Sequence, residues 1–302
     1  MKKYLMPLCA ALVLLVAAAP AKAGVITNGS LTITIREDNG AIDIASFGGS
    51  DYFNPGVPVS DYGFQNGTLT NTFRRNDTNG GTGQPVTVTG GTVATGTYTG
   101  GGLNIGFNRS YALVSGVNVL RVTTTLTNNA TLGGGLISYF DTFDPDQGIA
   151  FALGFGTFND VFALAGGTVG QASINAGPFQ HTVIAGSLDA RATVASGNPF
   201  QISNGTALNN FFSSPFDGNG AFADSGTHIG LRTNLNAGQS TTFVYDLAFG
   251  LTPASAQQDF ITANAVSAVP EPATMTMLGI GVAGMFGFGL RRRRANTEAT
   301  PA

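Results

Sequence analysis

The sequence has no tryptophan and one cysteine, and its lysines and glutamates number three each in 302 residues. Each scarcity excludes something. Cys9 sits inside an apolar stretch after Pro7-Leu8, whereas a lipidated cysteine closes such a stretch behind small residues. Beyond Cys9 the chain has no thiol, and hence no disulfide, cysteine nucleophile or cysteine-ligated zinc. Lys2, Lys3 and Lys22 all lie in the first 23 residues. From Gly24 to Ala268 seven arginines stand against fifteen acidic residues, a formal charge of −8. Such a segment offers no general basic patch to nucleic acid or to an anionic membrane surface. The missing tryptophan removes the side chain best suited to stacking on sugars. With lysine and glutamate also rare, the good helix formers give way to Val, Ile, Phe and Thr, which favour strands, and to Gly, Asn and Ser, which favour turns.

The first 23 residues explain where the lysines went. Met1-Lys2-Lys3 is basic, Leu5 to Ala19 is apolar, and Ala21-Lys22-Ala23 is a small-x-small cleavage sequence. This is the pattern of a secretory signal peptide over residues 1–23, removed by signal peptidase.

The segment 24–251 alternates apolar and polar residues in short runs. Leu31 to Ile35 and Ala41 to Ala45 flank the turn signal Asp38-Asn39-Gly40 and read as a hairpin. Further strands are predicted at Val86–Thr89, Val93–Tyr98, Leu103–Phe107, Asn118–Leu126, Leu136–Phe143, Ile149–Phe155, Thr182–Ala185, His228–Thr233 and Thr241–Leu251. Many short strands at such spacing predict an all-β, antiparallel β-sandwich. One short helix is expected over residues 254–265, because Thr252-Pro253 supplies an N-cap followed by proline at the first helical position. It would link the sandwich (24–251) to the C-terminal segment, as a helix or linker over 252–268.

The C-terminal segment has three parts in order. Val269-Pro270-Glu271-Pro272 is held extended by its prolines. Ala273 to Leu290 is 18 residues without a charge, roughly 27 Å long as a helix and therefore close to the thickness of a hydrocarbon core. Arg291, Arg292, Arg293 and Arg294 follow, which by the positive-inside bias places that end, with the tail 295–302, in the cytoplasm and the body outside. This arrangement resembles the PEP-CTERM sorting signal, in which a Pro-Glu-Pro motif, a hydrophobic helix and an arginine cluster are recognised by an exosortase. The resemblance covers residues 269–294 and implies a Gram-negative bacterium, transient association with the inner membrane, processing near Pro270-Glu271-Pro272 and release to the cell surface or extracellular matrix. A second resemblance is shorter. Arg109 to Asn128 is similar to a strand pair of the sugar-binding β-supersandwich group that includes mutarotases, which implies the same fold and an exopolysaccharide as a candidate partner.

Candidate chemical residues are few. Asp141, Asp144 and Asp146 form the densest acidic cluster. Three carboxylates so close could hold calcium, a hard cation that takes oxygen ligands, and no other cofactor is expected. The spacing is not that of an EF-hand loop, and the other reading is a strand ending in an Asp-Pro turn, with Asp144 hydrogen-bonding its own backbone. His181 and His228, the only histidines, lie on or beside predicted strands, where a structural role is commoner than a catalytic one. No Gly-x-Ser-x-Gly elbow is present. Asp51-Tyr52 and Asp61-Tyr62 repeat an Asp-Tyr pair ten residues apart. Tyr52 and Tyr62 are expected either to plug loop turns over the core or to line an acid-rimmed saccharide groove. The reading is a secreted, non-enzymatic surface or matrix protein, with an exopolysaccharide-binding module or a carbohydrate-active enzyme as alternatives.

Overall fold

The computed structural model describes residues 24–53, 60–76, 83–175, 178–197 and 199–267. The signal peptide, Pro270-Glu271-Pro272, the predicted membrane helix over 273–290, Arg291 to Arg294 and the tail lie outside the described residues. Among the described residues no helix is long and apolar enough to cross a membrane.

In chain order the strands are β1 (Gly24–Thr27), β2 (Leu31–Ile35), β3 (Ile42–Phe47), β4 (Ser50–Asp51), β5 (Ser60–Asn66), β6 (Arg74–Asn76), β7 (Val86–Thr89), β8 (Val93–Gly100) and β9 (Leu103–Leu113). They continue as β10 (Val119–Asn128), β11 (Gly134–Phe143), β12 (Thr157–Leu164), β13 (Gly167–Ser173), β14 (Thr182–Ser187) and β15 (Ala192–Gly197). After helix α1 (Gly205–Ser213) come β16 (Ala221–Ala223), β17 (Gly226–Asn236), β18 (Ser240–Gly250) and helix α2 (Pro253–Ser267). The strands form three antiparallel sheets: β1-β2-β3-β4, the nine-stranded β16-β12-β13-β14-β18-β10-β9-β8-β7, and the five-stranded β15-β17-β11-β5-β6. The fold is the antiparallel β-sandwich that the alternation predicts.

The alternation also decides which faces meet. On β10, Leu120, Val122, Thr124 and Leu126 are buried while Arg121, Thr123 and Thr125 are only half-buried. On the neighbouring β18, Phe243, Tyr245, Leu247 and Phe249 form the matching stripe, in register through Val122↔Tyr245. These stripes join Ile137, Tyr139 and Phe143 of β11, Ile229 and Leu231 of β17, Tyr62 and Phe64 of β5, and Leu31, Ile33 and Ile35 of β2 in one central core. Burying each such side chain contributes roughly 1.5–3 kcal/mol. The similarity noted for residues 109–128 falls on a true strand pair, since β9 and β10 are adjacent and antiparallel.

The helices cover the outer faces. α2 lays Ala256, Phe260 and Ala263 over Val119, Val169, Ile184 and Ala248 of the nine-stranded sheet. It is thus packed onto the sandwich and not merely strung from it. Its start is a reciprocal cap: the Ser255 amide donates to Thr252 Oγ1 and the Thr252 amide to Ser255 Oγ, each at 3.1 Å. α1, which the sequence pattern did not predict, puts Leu208 and Phe211 against Phe140 and Ala195 of the five-stranded sheet. Its cap is Asn204, whose side chain accepts from the Ala207 amide at 2.9 Å. One expected strand is absent: Ile149–Phe151 is a single 3-10 turn, because the Asp146 carbonyl accepts from the Ile149 amide and starts a turn there.

Candidate metal centre

Asp141 and Asp144 leave β11 in different directions. Asp141 lies two residues from Tyr139 and two from Phe143, so strand alternation points it into the core. Arg109 lies between Phe107 and Tyr111 on the core stripe of β9. Both side chains are 1% exposed, and Arg109 Nη2 lies 2.7 Å from Asp141 Oδ1. Nη1 donates to Oδ2 at 2.9 Å, so the ion pair, with this one hydrogen bond, ties the two large sheets together. Four tyrosines enclose it. Arg109 donates to the hydroxyls of Tyr111, Tyr139 and Tyr245, and its guanidinium lies 4.7 Å from the Tyr62 ring centre. Burial disfavours the guanidinium charge, but the Asp141 carboxylate and the surrounding tyrosines outweigh this and hold its pKa above the ordinary value. Burial likewise raises the tyrosine hydroxyls, above all at Tyr62, Tyr139 and Tyr245. Asp141 is therefore the counter-ion of a buried arginine, and the expectation that it shares a metal with Asp144 and Asp146 is corrected on that ground.

Asp144 and Asp146 find a different third carboxylate. The β11–β17 ladder ends at Phe143↔Thr227. Just past that rung, Asp144 and Asp146 follow β11 while Asp224 precedes β17, which brings the three to the same end of the ladder. One ligand oxygen from each of Asp144, Asp146 and Asp224 lies within 4.8 Å of the others. Asp144 and Asp146 are 6% and 2% exposed. Burial, reinforced by the charge of Asp224, pushes the Asp144 carboxyl up to about 7. Burial with the charges of Asp144 and Asp224 pushes Asp146 up to about 8. Buried side-chain atoms without a hydrogen-bond partner among the described residues include the Oδ1 atoms of Asp144 and Asp146, the Oε1 of Gln147 and the hydroxyl of Ser225, which belong to this cluster or its chain neighbours, and, elsewhere, Gln65 Oε1, Asn104 Oδ1 and Asp141 Oδ1. Gln147 is held in place from its other end, where Nε2 donates to the carbonyls of Ala172 and His181 at 3.1 and 3.2 Å. Asp224 was beyond reach of sequence reasoning because it lies 80 positions from Asp144; the strand register is the signal that would have found it.

Tyr52 and Tyr62, read as plugs over the core or as the lining of a groove, do not reach the surface. Tyr52 and Tyr62 are both 0% exposed. The Tyr52 hydroxyl lies 3.2 Å from His181 Nδ1, and Tyr62 donates to the Asn39 carbonyl at 2.6 Å. Tyr62 belongs to β5, an inner strand of the five-stranded sheet and not a loop turn. Neither ring can stack on a saccharide. The turn below them depends on Gly40, at φ +73°, where a Cβ would come within 2.6 Å of the Ala94 Cβ. Its carbonyl accepts from Tyr111.

The histidines are structural. In His228, Nε2 donates to the Pro199 carbonyl at 2.8 Å and Nδ1 accepts from the Thr142 hydroxyl at 3.2 Å. Burial lowers its pKa to about 4 despite the Pro199 carbonyl, and burial lowers that of His181 as well. A cleft of about 440 Å3 lies away from the carboxylates, on the outer face of the nine-stranded sheet, lined in part by Arg121, Leu188, Asp189, Asp246 and Asn264. Its charges are already used: Arg121 grips Asp246 through two contacts of 2.8 Å, and Asp189 holds Arg191.

Residues 268–294 match the family model described as the PEP-CTERM protein-sorting motif. The chain therefore carries the signal of an exported protein whose implied processing partner is an exosortase. No curated protein matches the chain. Among solved structures it is similar to a galactose mutarotase-like protein from Lactobacillus casei, at 10% identity and a TM-score of 0.44, over 76% of this chain and 100% of that one. It is also similar to a putative aldose 1-epimerase from Escherichia coli, at 14% identity and a TM-score of 0.43, over 76% and 99%. A bacterial glucoamylase complexed with acarbose is similar at 10% identity and a TM-score of 0.48, over 82% of this chain and 35% of that one. These are similarities of chain path alone.

Proposed function

We propose that this chain is a non-enzymatic protein of the cell surface or extracellular matrix, exported through its N-terminal signal and cut free by an exosortase near Pro270-Glu271-Pro272. The sorting-motif match over residues 268–294 carries the reading. It begins directly after α2, whose last described residue is Ser267, so processing there would leave the helix with the sandwich it covers. The histidines and two of the buried aspartates support the non-enzymatic part, since they are committed to internal contacts. Both histidines are buried and hydrogen-bonded, and Asp141 and Asp246 are bound to arginines.

The test is Glu271→Ala in the full chain, expressed in a host that carries the exosortase. The wild type should lose its C-terminal segment and leave the inner membrane. The variant should keep that segment and stay in the membrane fraction, as read by fractionation and mass spectrometry of the C-terminus. Normal processing and normal location of the variant would falsify the proposal.

A further inference from the structure

We propose that Asp144, Asp146 and Asp224 bind a divalent cation of the calcium class, which fastens the end of β11 to the chain entering β17. The contrast with the other sheltered acids carries the inference. Asp141 is paired with Arg109, Asp246 with Arg121, Asp61 with Arg75 and Asp189 with Arg191. Asp144 and Asp146 are also buried, at 6% and 2% exposure, yet no arginine is paired with either among the described residues; their neighbours in the cluster are each other and the exposed Asp224. A buried charge is strongly disfavoured unless it is paired or coordinates a metal. Ionising these carboxyls together sets like charges side by side, and a bound divalent cation would supply the counter-charge that no arginine supplies here.

The second observation is independent of the acids. The Ser225 hydroxyl and the Gln147 Oε1 are buried without a partner, and they are the immediate chain neighbours of Asp224 and Asp146. The three carboxylates offer oxygen, the donor a hard cation takes, and the unpartnered atoms beside them in the chain are oxygens too. The three carboxylate oxygens, all within 4.8 Å of one another, are close enough to share one ion that sits about 2.4 Å from each ligand. The ion would act beyond the two strands. The Asp146 amide donates to the Tyr52 carbonyl at 2.9 Å, and Ser50 Oγ donates to the Gln147 carbonyl at 2.9 Å. Fixing Asp146 therefore fixes the contact between β11 and the segment after β4.

The experiment is calorimetric titration of the full chain with calcium chloride after chelation, with thermal unfolding in calcium, magnesium or chelator. Calcium at a hundredfold excess over its dissociation constant should raise the melting temperature by roughly 5–10 °C. Asp146→Asn and Asp224→Asn should each weaken binding by about tenfold or more. Both variants relieve like-charge repulsion and should fold in chelator at least as well as the wild type. Asp160→Asn, outside the cluster, should bind as the wild type does. No heat and no shift in wild type would overturn the site. An unaltered Asp224→Asn would overturn the ligand set, and an equal response to magnesium would overturn the choice of calcium. None of these results depends on whether the sorting motif is processed.

Discussion

A guanidinium 1% exposed in an otherwise aromatic core is tolerable only because every face of it is satisfied. Arg109 has the Asp141 carboxylate on one side, three tyrosine hydroxyls as acceptors, and the Tyr62 ring beneath it. Such a pair is weak evidence of net stabilisation, since desolvating both ions offsets much of their attraction. Removing one partner is another matter, because it strands the other charge. Arg109→Met should therefore destabilise the fold by about 3–5 kcal/mol. Adding Asp141→Leu should recover a large part of that loss, although Tyr245 would still lack the bond it has from Nη2. Urea midpoints of the two single variants and the double variant form a cycle, and the coupling should lie at the upper end of the range for contacting residues, roughly 2–3 kcal/mol. Simple additivity would mean that the ion pair does not hold the sheets together.

Among the elements, α2 shows how a helix of weak pattern is fixed by its surroundings. Phe260 is its main anchor, 0% exposed, and Gly186 of β14 makes room for it: a Cβ there would come within 2.9 Å of the ring. Phe260→Ala should cost about 3–5 kcal/mol, measured by chemical denaturation. A loss below about 1 kcal/mol would show that the helix is not anchored through this ring. The sequence revealed α2 through its Thr-Pro start, and revealed β7, β10 and β18 through strict alternation. It concealed β12 and β13 because their connection is Ala165-Gly166 at φ +54° and +86°, a two-residue hairpin turn without the usual Asn-Gly or Asp-Gly signal. It concealed β5 because Asp61 and Gly63 break the apolar pattern. In the sheet Asp61 is bound by Arg75 and Gln201, while Gly63 leaves room for the Phe140 ring, 2.7 Å from a Cβ there. α1 was hidden by Asn204-Gly205, which reads as a turn until Asn204 is seen to cap the helix. The carboxylate site was half legible. Asp144 and Asp146 are neighbours in sequence, whereas Asp224 arrives only through the β11–β17 register, and the loss of Asp141 to Arg109 is decided across the two sheets.

For the molecule as a whole, few cations are available to answer a formal charge of −8 over residues 24–268, and its response to acid rests on particular buried groups. His228 is buried neutral, packed near the Phe211 ring and bonded to the Pro199 carbonyl and the Thr142 hydroxyl. Its pKa falls from 6.5 to about 4 on folding. A depressed folded value means that the unfolded chain binds the proton more readily between those two pH values. The stabilisation is thus present in full above about pH 6.5 and is lost as pH falls to about 4, a change of roughly 3 kcal/mol. His181, also lowered by burial, shifts the profile in the same direction. Asp144 and Asp146 shift it the other way in chelator, because their raised values favour the folded state at low pH and that gain disappears as pH rises through about 7 to 8. The wild-type profile alone therefore mixes opposing terms. His228→Gln separates them, since a glutamine amide can still donate to Pro199 and accept from Thr142 but takes up no proton. The stability of the wild type relative to this variant, followed by urea unfolding, should decline by about 3 kcal/mol from pH 7 to pH 4. The contributions of His181 and the aspartates cancel in the difference. A difference independent of pH would show that His228 is not held neutral in the folded protein.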